Sequence, residues 1–365
     1  MSIRDVIRLS VLLTVLVFNI TQSWADSWQH VVSSKFSTEL DTNPALTPSN
    51  LGSVRRMLFE PSYTLTSKIG ENDLKAGLGL QVERSSNQAL SQNREGPNAS
   101  LDWLRQSDVG ELGVNYKYAE IATRNAGIDT TSQVPIASTR ASRALSGRWR
   151  KALSERSSLS ADGSYEGVSY NGDSYVDYVT RSGGVKFIYS VSERSMTFLR
   201  VSGDKYSPAG GGPSSRLGVA MLGVNLKSEL VDVTVQVGKS KGAGQVGSQG
   251  SIALQYTGSR TLLSLNADRQ VLPSGLGGFI QADQVRGSWS YAWNELSHIG
   301  VDWDRRKNHA AEVNNIRTTS GVWLQRSLNP LWGFRTYLMH NEIEGGAGAS
   351  SNTAGLSLVY TNPDF

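Results

Sequence analysis

From residue 26 onward the chain alternates apolar and polar residues with a period of two, in segments longer than an ordinary globular strand. Leu74, Ala76, Leu78, Leu80 and Val82 interleave with Lys75, Gly77, Gly79, Gln81 and Glu83. Val231, Val233, Val235 and Val237 interleave with Asp232, Thr234 and Gln236, and Ile299, Val301 and Trp303 with Gly300, Asp302 and Asp304. Residues at i, i+2 and i+4 share one face of a strand, so each segment has one apolar and one polar face. No convincing helical stripe interrupts the pattern. After residue 25 no apolar run approaches the roughly 18 residues that a membrane helix needs.

Eighteen such segments can be drawn: 28–42, 54–67, 73–84, 98–106, 110–122, 138–152, 157–169, 177–191 and 195–206, then 214–226, 230–240, 248–257, 260–271, 279–293, 297–307, 314–327, 332–343 and 352–361. Their length suits a tilted strand crossing a bilayer. Short connections such as Leu-Ser-Glu-Arg-Ser and Trp-Asn-Glu-Leu-Ser alternate with long ones rich in Gly, Ser, Asn and Pro, including those around Pro97, Gly242–Gly247 and Pro273. Short turns at one rim and long loops at the other predict an outer-membrane barrel, with the short turns periplasmic. Ser-Glu-Arg-Ser occurs at 154–157 and 192–195, a spacing of about 38 residues. Two long strands fill that spacing where a propeller blade would need four short ones, so both copies are expected at the short-turn rim. Most of the ten prolines fall in connections. Pro61 falls within the second segment, which predicts a bulge or a shorter strand there.

The N-terminus reads as an export signal over residues 1–25. Arg4 and Arg8 precede a dozen apolar residues, and Ser23-Trp24-Ala25 supplies small residues at the cleavage positions. The barrel is then one domain over 26–365. With no cysteine, disulfides and thiolate metal sites are excluded, and His30, His298, His309 and His340 lack metal-ligand spacing. A formal charge of +4, with scattered Lys and Arg, speaks against nucleic acid. Gly242-Ala-Gly244-Gln-Val-Gly247 matches G-x-G-x-x-G, but the next segment alternates as a strand where a dinucleotide site needs a helix. It reads as a flexible surface loop. No hydrolase, zinc-protease or P-loop motif is present, and neither enzyme activity nor a cofactor is expected.

The phase of the alternation sorts side chains into two sets. Tyr116, Tyr118, Trp149, Tyr165, Trp289, Tyr291, Trp293, Trp303, Phe334 and Tyr360 share the apolar phase, as interfacial aromatic girdles would. The polar phase contains Asp102, Glu111, Lys117, Arg148, Arg150, Asp162, Glu166, Lys186, Asp232, Asp268, Arg286, Asp302, Asp304 and Arg335. In a barrel of this size such residues are candidates to line a wet lumen. Trp323 and Tyr337 also point inward in this phase, either as stacking platforms for sugar rings or as packing for a constriction loop.

Two short motifs carry a resemblance. Thr353-Ala-Gly355-Leu-Ser-Leu358-Val-Tyr360 resembles the C-terminal signal read by the barrel-assembly machinery, with the usual terminal Phe arriving late, at Phe365. With Glu39-Leu-Asp41-Thr-Asn43-Pro44 at the end of the first segment and the Ser-Glu-Arg turns, the chain resembles outer-membrane barrels of exopolysaccharide biosynthesis clusters, the type-2 β-barrel porin family. That resemblance implies an outer-membrane channel helping a polysaccharide leave the cell, with polysaccharide and periplasmic export components as partners. It transfers no catalytic residue. Asn43-Pro44 reads first as a turn former on the outer side. A general diffusion porin for small hydrophilic solutes, a structural or adhesive barrel, and a soluble periplasmic β-protein are the other readings.

Overall fold

The structure is a computed structural model, described here over residues 28–123, 138–172, 175–242, 245–309, 314–345 and 348–362. The proposed export signal and Phe365 lie outside the described residues. Alternating segments become strands of 12 to 17 residues. They are β1 (Trp28–Asp41), β2 (Val54–Ile69), β3 (Asn72–Ser85), β4 (Arg94–Ser107), β5 (Gly110–Ala122) and β6 (Thr139–Ala152). There follow β7 (Ser157–Asn171), β8 (Tyr178–Ser192), β9 (Ser195–Pro208), β10 (Ser215–Lys227), β11 (Val231–Gly242) and β12 (Gln245–Thr257). The last are β13 (Thr261–Ser274), β14 (Gly278–Asn294), β15 (Ser297–His309), β16 (Asn314–Ser327), β17 (Trp332–Glu344) and β18 (Ala349–Asn362).

All 18 strands pair antiparallel with their sequence neighbours, and β1 also pairs with β18 over residues 32–41, so the sheet closes on itself. Closure satisfies the backbone of both would-be edge strands, which a lipid environment requires. The apolar phase faces outward without protein cover. Leu222, Val237 and Leu338 are about 60 % exposed, as 60 %, 62 % and 60 % respectively, and comparable side chains ring the barrel. A continuous exposed apolar band of this kind fits a hydrocarbon solvent, not water.

The short turns share one piece of local chemistry. In both Ser-Glu-Arg-Ser copies the two serine hydroxyls lie 2.7 and 2.8 Å apart, and the first serine accepts the Arg156 or Arg194 N–H at 3.3 Å. Asn294 accepts the Leu296 N–H at 3.0 Å, and Asn329 accepts from Leu331 and Trp332 at 2.9 Å. A short polar side chain that bonds the backbone two or three residues on is the ordinary device of a tight turn.

On the opposite rim several segments read as loops are strand. β4 starts at Arg94 and includes Pro97; β13 runs through Pro273; Gly242 and Gly247 belong to β11 and β12. The described residues of the G-x-G-x-x-G segment, 242 and 245–247, are therefore ladder rather than a surface loop. Proline is tolerated because one side of the strand is unpaired at each point. The β4–β5 ladder starts only at Asn98, and the β12–β13 ladder has ended at Arg269. Pro61 also departs from expectation. β2 continues to Ile69, and its pairing with β3 has the same register on both sides of Glu60-Pro61. Two paired positions, those of Glu60 and Pro61, are missing on the β3 side, with neither a bulge nor a shortened strand. The register irregularities fall elsewhere, at Ser190/Ser192 and Ala292/Asn294 beside short turns.

Leu222 lies near the middle of β10 on the apolar face. Leu222→Arg should cost about 2–4 kcal/mol if the bilayer midplane passes there. Urea unfolding of the barrel refolded in lipid vesicles measures the difference.

Candidate functional site

The inner face is the parity opposite the exposed apolar side chains, and on it several side chains reach across an intervening strand. Arg200 of β9 pairs with Asp162 of β7 at 2.8 Å, passing over Gly184 of β8. Tyr337 of β17 donates its hydroxyl to Glu39 of β1, lying over Gly355 of β18. A Cβ on Gly355 would stand 2.2 Å from the Tyr337 ring, so the glycine provides the bed for that ring. Trp323 lies over Gly300 and Phe198 over Gly223 in the same way.

Following register from these anchors puts every residue of the polar phase on the inner face, opposite the apolar band. Most of them divide between two walls on opposite sides of the ring. On β5–β9, Arg148 pairs with Glu111 at 2.8 Å and Arg200 with Asp162. Higher on β6–β7, Arg140 pairs with Glu166 at 3.2 Å. Lys117, Arg150 and Lys186 have no carboxylate within ion-pair distance among the described residues, and the Lys186 ammonium sits 3.8 Å from the Phe198 ring centroid. This wall carries surplus positive charge, and Lys117, Arg148 and Arg150 are exposed on it.

The facing wall, β14–β18, has interleaved signs. Arg286 pairs with Asp304 at 3.0 Å. Gln284 donates to Asp304 at 2.5 Å and accepts from Arg286 and Arg306 at 2.5 and 2.6 Å. The Arg335 guanidinium stacks on Trp323 at 4.4 Å and lies 3.7 Å from Asp302. Trp323 and Tyr337 are directly opposite in register. A cavity of about 1000 Å³ runs along this wall between Lys35, Arg286, Asp302, Trp323, Arg335 and Tyr337. Asp232 stands apart from both groups and accepts from Asn225 at 2.6 Å. Asp102 accepts from Asn115 at 2.9 Å, and Asp268 from Gln270 at 2.8 Å.

Two features were not legible in the phase of the sequence. The first is at the β1–β18 seam. Arg56 pairs with Glu39 at 3.1 Å and Asp41 at 3.0 Å, all three largely buried, and Ser351 of β18 donates to Asp41. Asn43, 3 % exposed, donates its side-chain amide to Thr47 O at 2.8 Å and Ser350 O at 3.1 Å. Asn43-Pro44 is therefore more than a surface turn: it is buried and ties the β1–β2 connection to the β17–β18 end. Leu46, with a φ of 48°, packs there on Ile343.

The second is a fold-in of the β13–β14 hairpin. β13 parts from β12 beyond Arg269, and its turn reaches the inner side of β7–β9. Val176 donates to Gly275 O at 2.8 Å, and the Tyr206 hydroxyl to Ser274 O at 3.1 Å. Tyr206 is fully buried between Tyr178 and Phe279, at ring distances of 5.0 and 5.8 Å, and Tyr170 extends the cluster. Inward parity of Tyr170, Tyr178 and Tyr206 near the ends of three adjacent strands was the available signal. The contact crosses in front of β10–β12 and narrows the long-loop mouth.

Of the residues expected to carry an assembly signal, Thr353 is buried on the inner face, Gly355 underlies Tyr337, and Leu358 and Tyr360 face outward. Tyr360 packs on Trp332 at 5.0 Å.

Gly355→Ala should displace the Tyr337 ring and lower stability by about 1–3 kcal/mol, the usual cost of overpacking. Gly167→Ala, where a Cβ meets nothing within 4 Å, should leave it unchanged or slightly raised. Thermal melting in detergent micelles compares the two.

No protein-family profile matches the chain, and no characterised protein matches it in sequence. Solved structures do match in fold. Acinetobacter baumannii OccAB4 superposes with a TM-score of 0.51 at 10 % identity, over 94 % of this chain and 100 % of that one. Pseudomonas aeruginosa OccK9 (OpdG) gives 0.52 at 9 % identity, over 92 % and 98 %. The outer membrane protein opdK of Pseudomonas aeruginosa gives 0.51 at 11 %, over 92 % and 99 %. At this level of identity the likeness is one of fold: the chain is a closed 18-stranded antiparallel barrel of the kind found in outer-membrane porins.

Proposed function

We propose that this chain is an outer-membrane channel for passive diffusion of small hydrophilic solutes, favouring anions, and not an enzyme. The observation that carries it is the exposed surplus of positive charge on the inner β5–β9 wall, inside a barrel whose outer face is apolar. Surplus charge on a low-dielectric wall raises the local concentration of the opposite ion and excludes its own sign. The fold neighbours support the diffusion reading through their shared architecture. They lend no support to exopolysaccharide export, the function implied by the sequence resemblance. The folded-in β13–β14 hairpin and the buried Arg56 network occupy part of the lumen, which suits a small solute better than a polymer. An adhesive barrel would not call for charged, solvent-exposed inner walls.

Export by a signal over residues 1–25 and insertion by the barrel-assembly machinery through Thr353, Gly355, Leu358, Tyr360 and Phe365 belong to this reading. So does lining of the path by Lys117, Arg148, Arg150, Asp162, Glu166, Lys186, Asp232, Arg286, Asp302, Asp304, Trp323, Arg335 and Tyr337.

In planar bilayers under a salt gradient, the reversal potential should report anion preference. Lys117→Glu with Arg150→Glu and Lys186→Glu should shift it towards cations. Absence of conductance, or cation preference in the parent, would reject the proposal. In cells, deletion should slow uptake of small anions and leave secreted polysaccharide unchanged; the reverse outcome would restore the export reading.

A further inference from the structure

The outward faces of the strands carry basic residues just beyond the apolar band, towards the long-loop rim. Many of them have a carboxylate partner. Arg84 pairs with Glu95 at 2.6 Å, Arg269 with Asp283 at 2.6 Å, and Arg305 approaches Glu344 at 3.9 Å. One arc differs. On β8, β9 and β10, Arg181, Lys205 and Arg216 occupy directly opposed positions: Arg181 faces Lys205, and Lys205 faces Arg216. Lys239 and Lys241 of β11 face Ala220 and Gly218 of β10 and continue the arc. Among the described residues none of these five cations has a carboxylate within ion-pair distance; Arg181 lies over the Tyr165 ring at 5.9 Å.

Like charges at directly opposed positions have Cβ atoms about 5 Å apart and destabilise a strand pair. Three in a row, followed by two more, therefore call for a counter-anion from outside the chain. What lies next to the arc indicates its form. The row towards the short turns is Gly183, Gly203 and Gly218, where a Cβ would meet nothing nearer than 3.8 Å, so a bulky group has room to approach the backbone. Beyond it come Val185, Val201, Leu199 and Leu222, each at least half exposed. Cations above, open space between and bare apolar surface below match an amphiphile with phosphate groups at its head and acyl chains beneath.

We infer that the outward face of β8–β11 binds the phosphorylated headgroup of a glycolipid in the leaflet at the long-loop side. Arg181, Lys205 and Arg216 bind the phosphates, Lys239 and Lys241 extend the field, and the apolar rows seat the acyl chains. Arginine presents a fork matched to phosphate, and lysine acts as a point charge. This rests on the membrane-spanning reading above, with the long loops outward.

The test uses the full chain, folded in detergent, with bisphosphorylated lipid A as the probe in native mass spectrometry. The parent should retain the lipid. Arg181→Ser with Lys205→Ser and Arg216→Ser should bind on the order of 100-fold more weakly, since each cation near an anionic surface contributes comparably. The charge-keeping set Arg181→Lys, Lys205→Arg and Arg216→Lys should retain binding. Dephosphorylated lipid A should bind no better to the parent than to the triple serine variant. Because the variant loses like-charge repulsion, it should melt no lower than the parent in lipid-free detergent, and only the parent should gain stability on lipid addition. Equal retention by parent and serine variant, equal retention of the dephosphorylated probe, or complete displacement by millimolar inorganic phosphate would each overturn the inference. The arc faces away from the lumen, so the serine variant should conduct as the parent does. A parent that is silent in bilayers but holds the lipid in this charge-dependent way would sink the channel reading and leave the lipid site standing.

Discussion

Everything in this molecule depends on the pairing of β1 with β18. A strand edge left open in hydrocarbon would strand a row of N–H and C=O groups, and no side-chain contact could offset that cost. The ladder over residues 32–41 removes the edge. Around it the side chains form a latch: Tyr337 reaches Glu39, Arg56 joins Glu39 to Asp41, Ser351 bonds Asp41, and Asn43 bonds Ser350 O. Buried ions are costly to desolvate, so a network of this kind specifies which strands meet more than it adds net stability. Its position at the junction of the two ends of the chain fits that role.

Closure also fixes what each face meets. Once the sheet is a cylinder, alternation becomes inside against outside, and a one-residue slip of any strand would exchange the two. The inner side chains then interact over two strands, not only between neighbours. Gly184 and Gly355 are the clearest cases, because their missing side chains let Arg200 meet Asp162 and Tyr337 meet Glu39.

The number of strands and the phase of each were legible in the sequence because the lipid band enforces the alternation residue by residue. Strand ends at the long-loop rim were less so. There the ladder runs on into water, where neither face need be apolar, and Gly242, Pro97 and Pro273 look like loop residues although they sit in strands. Which inner residues meet was also hidden. Arg286 and Asp304 are neighbours by hairpin register, but Arg200 with Asp162, or Tyr337 with Glu39, requires the curvature of the wall and the order of three strands. The fold-in of Ser274–Gly278 onto Tyr206 depends on β13 leaving β12, an event with no local sequence mark.

The chain contains no cysteine, which makes the division between the two faces directly measurable. Single cysteines placed in turn at residues 182–187 of β8, in intact outer membranes, can be probed with a water-soluble maleimide. Reaction at 182, 184 and 186, with protection at 183, 185 and 187, is expected of a water-filled barrel set in lipid. Uniform reactivity, or reaction confined to the odd positions, would contradict it.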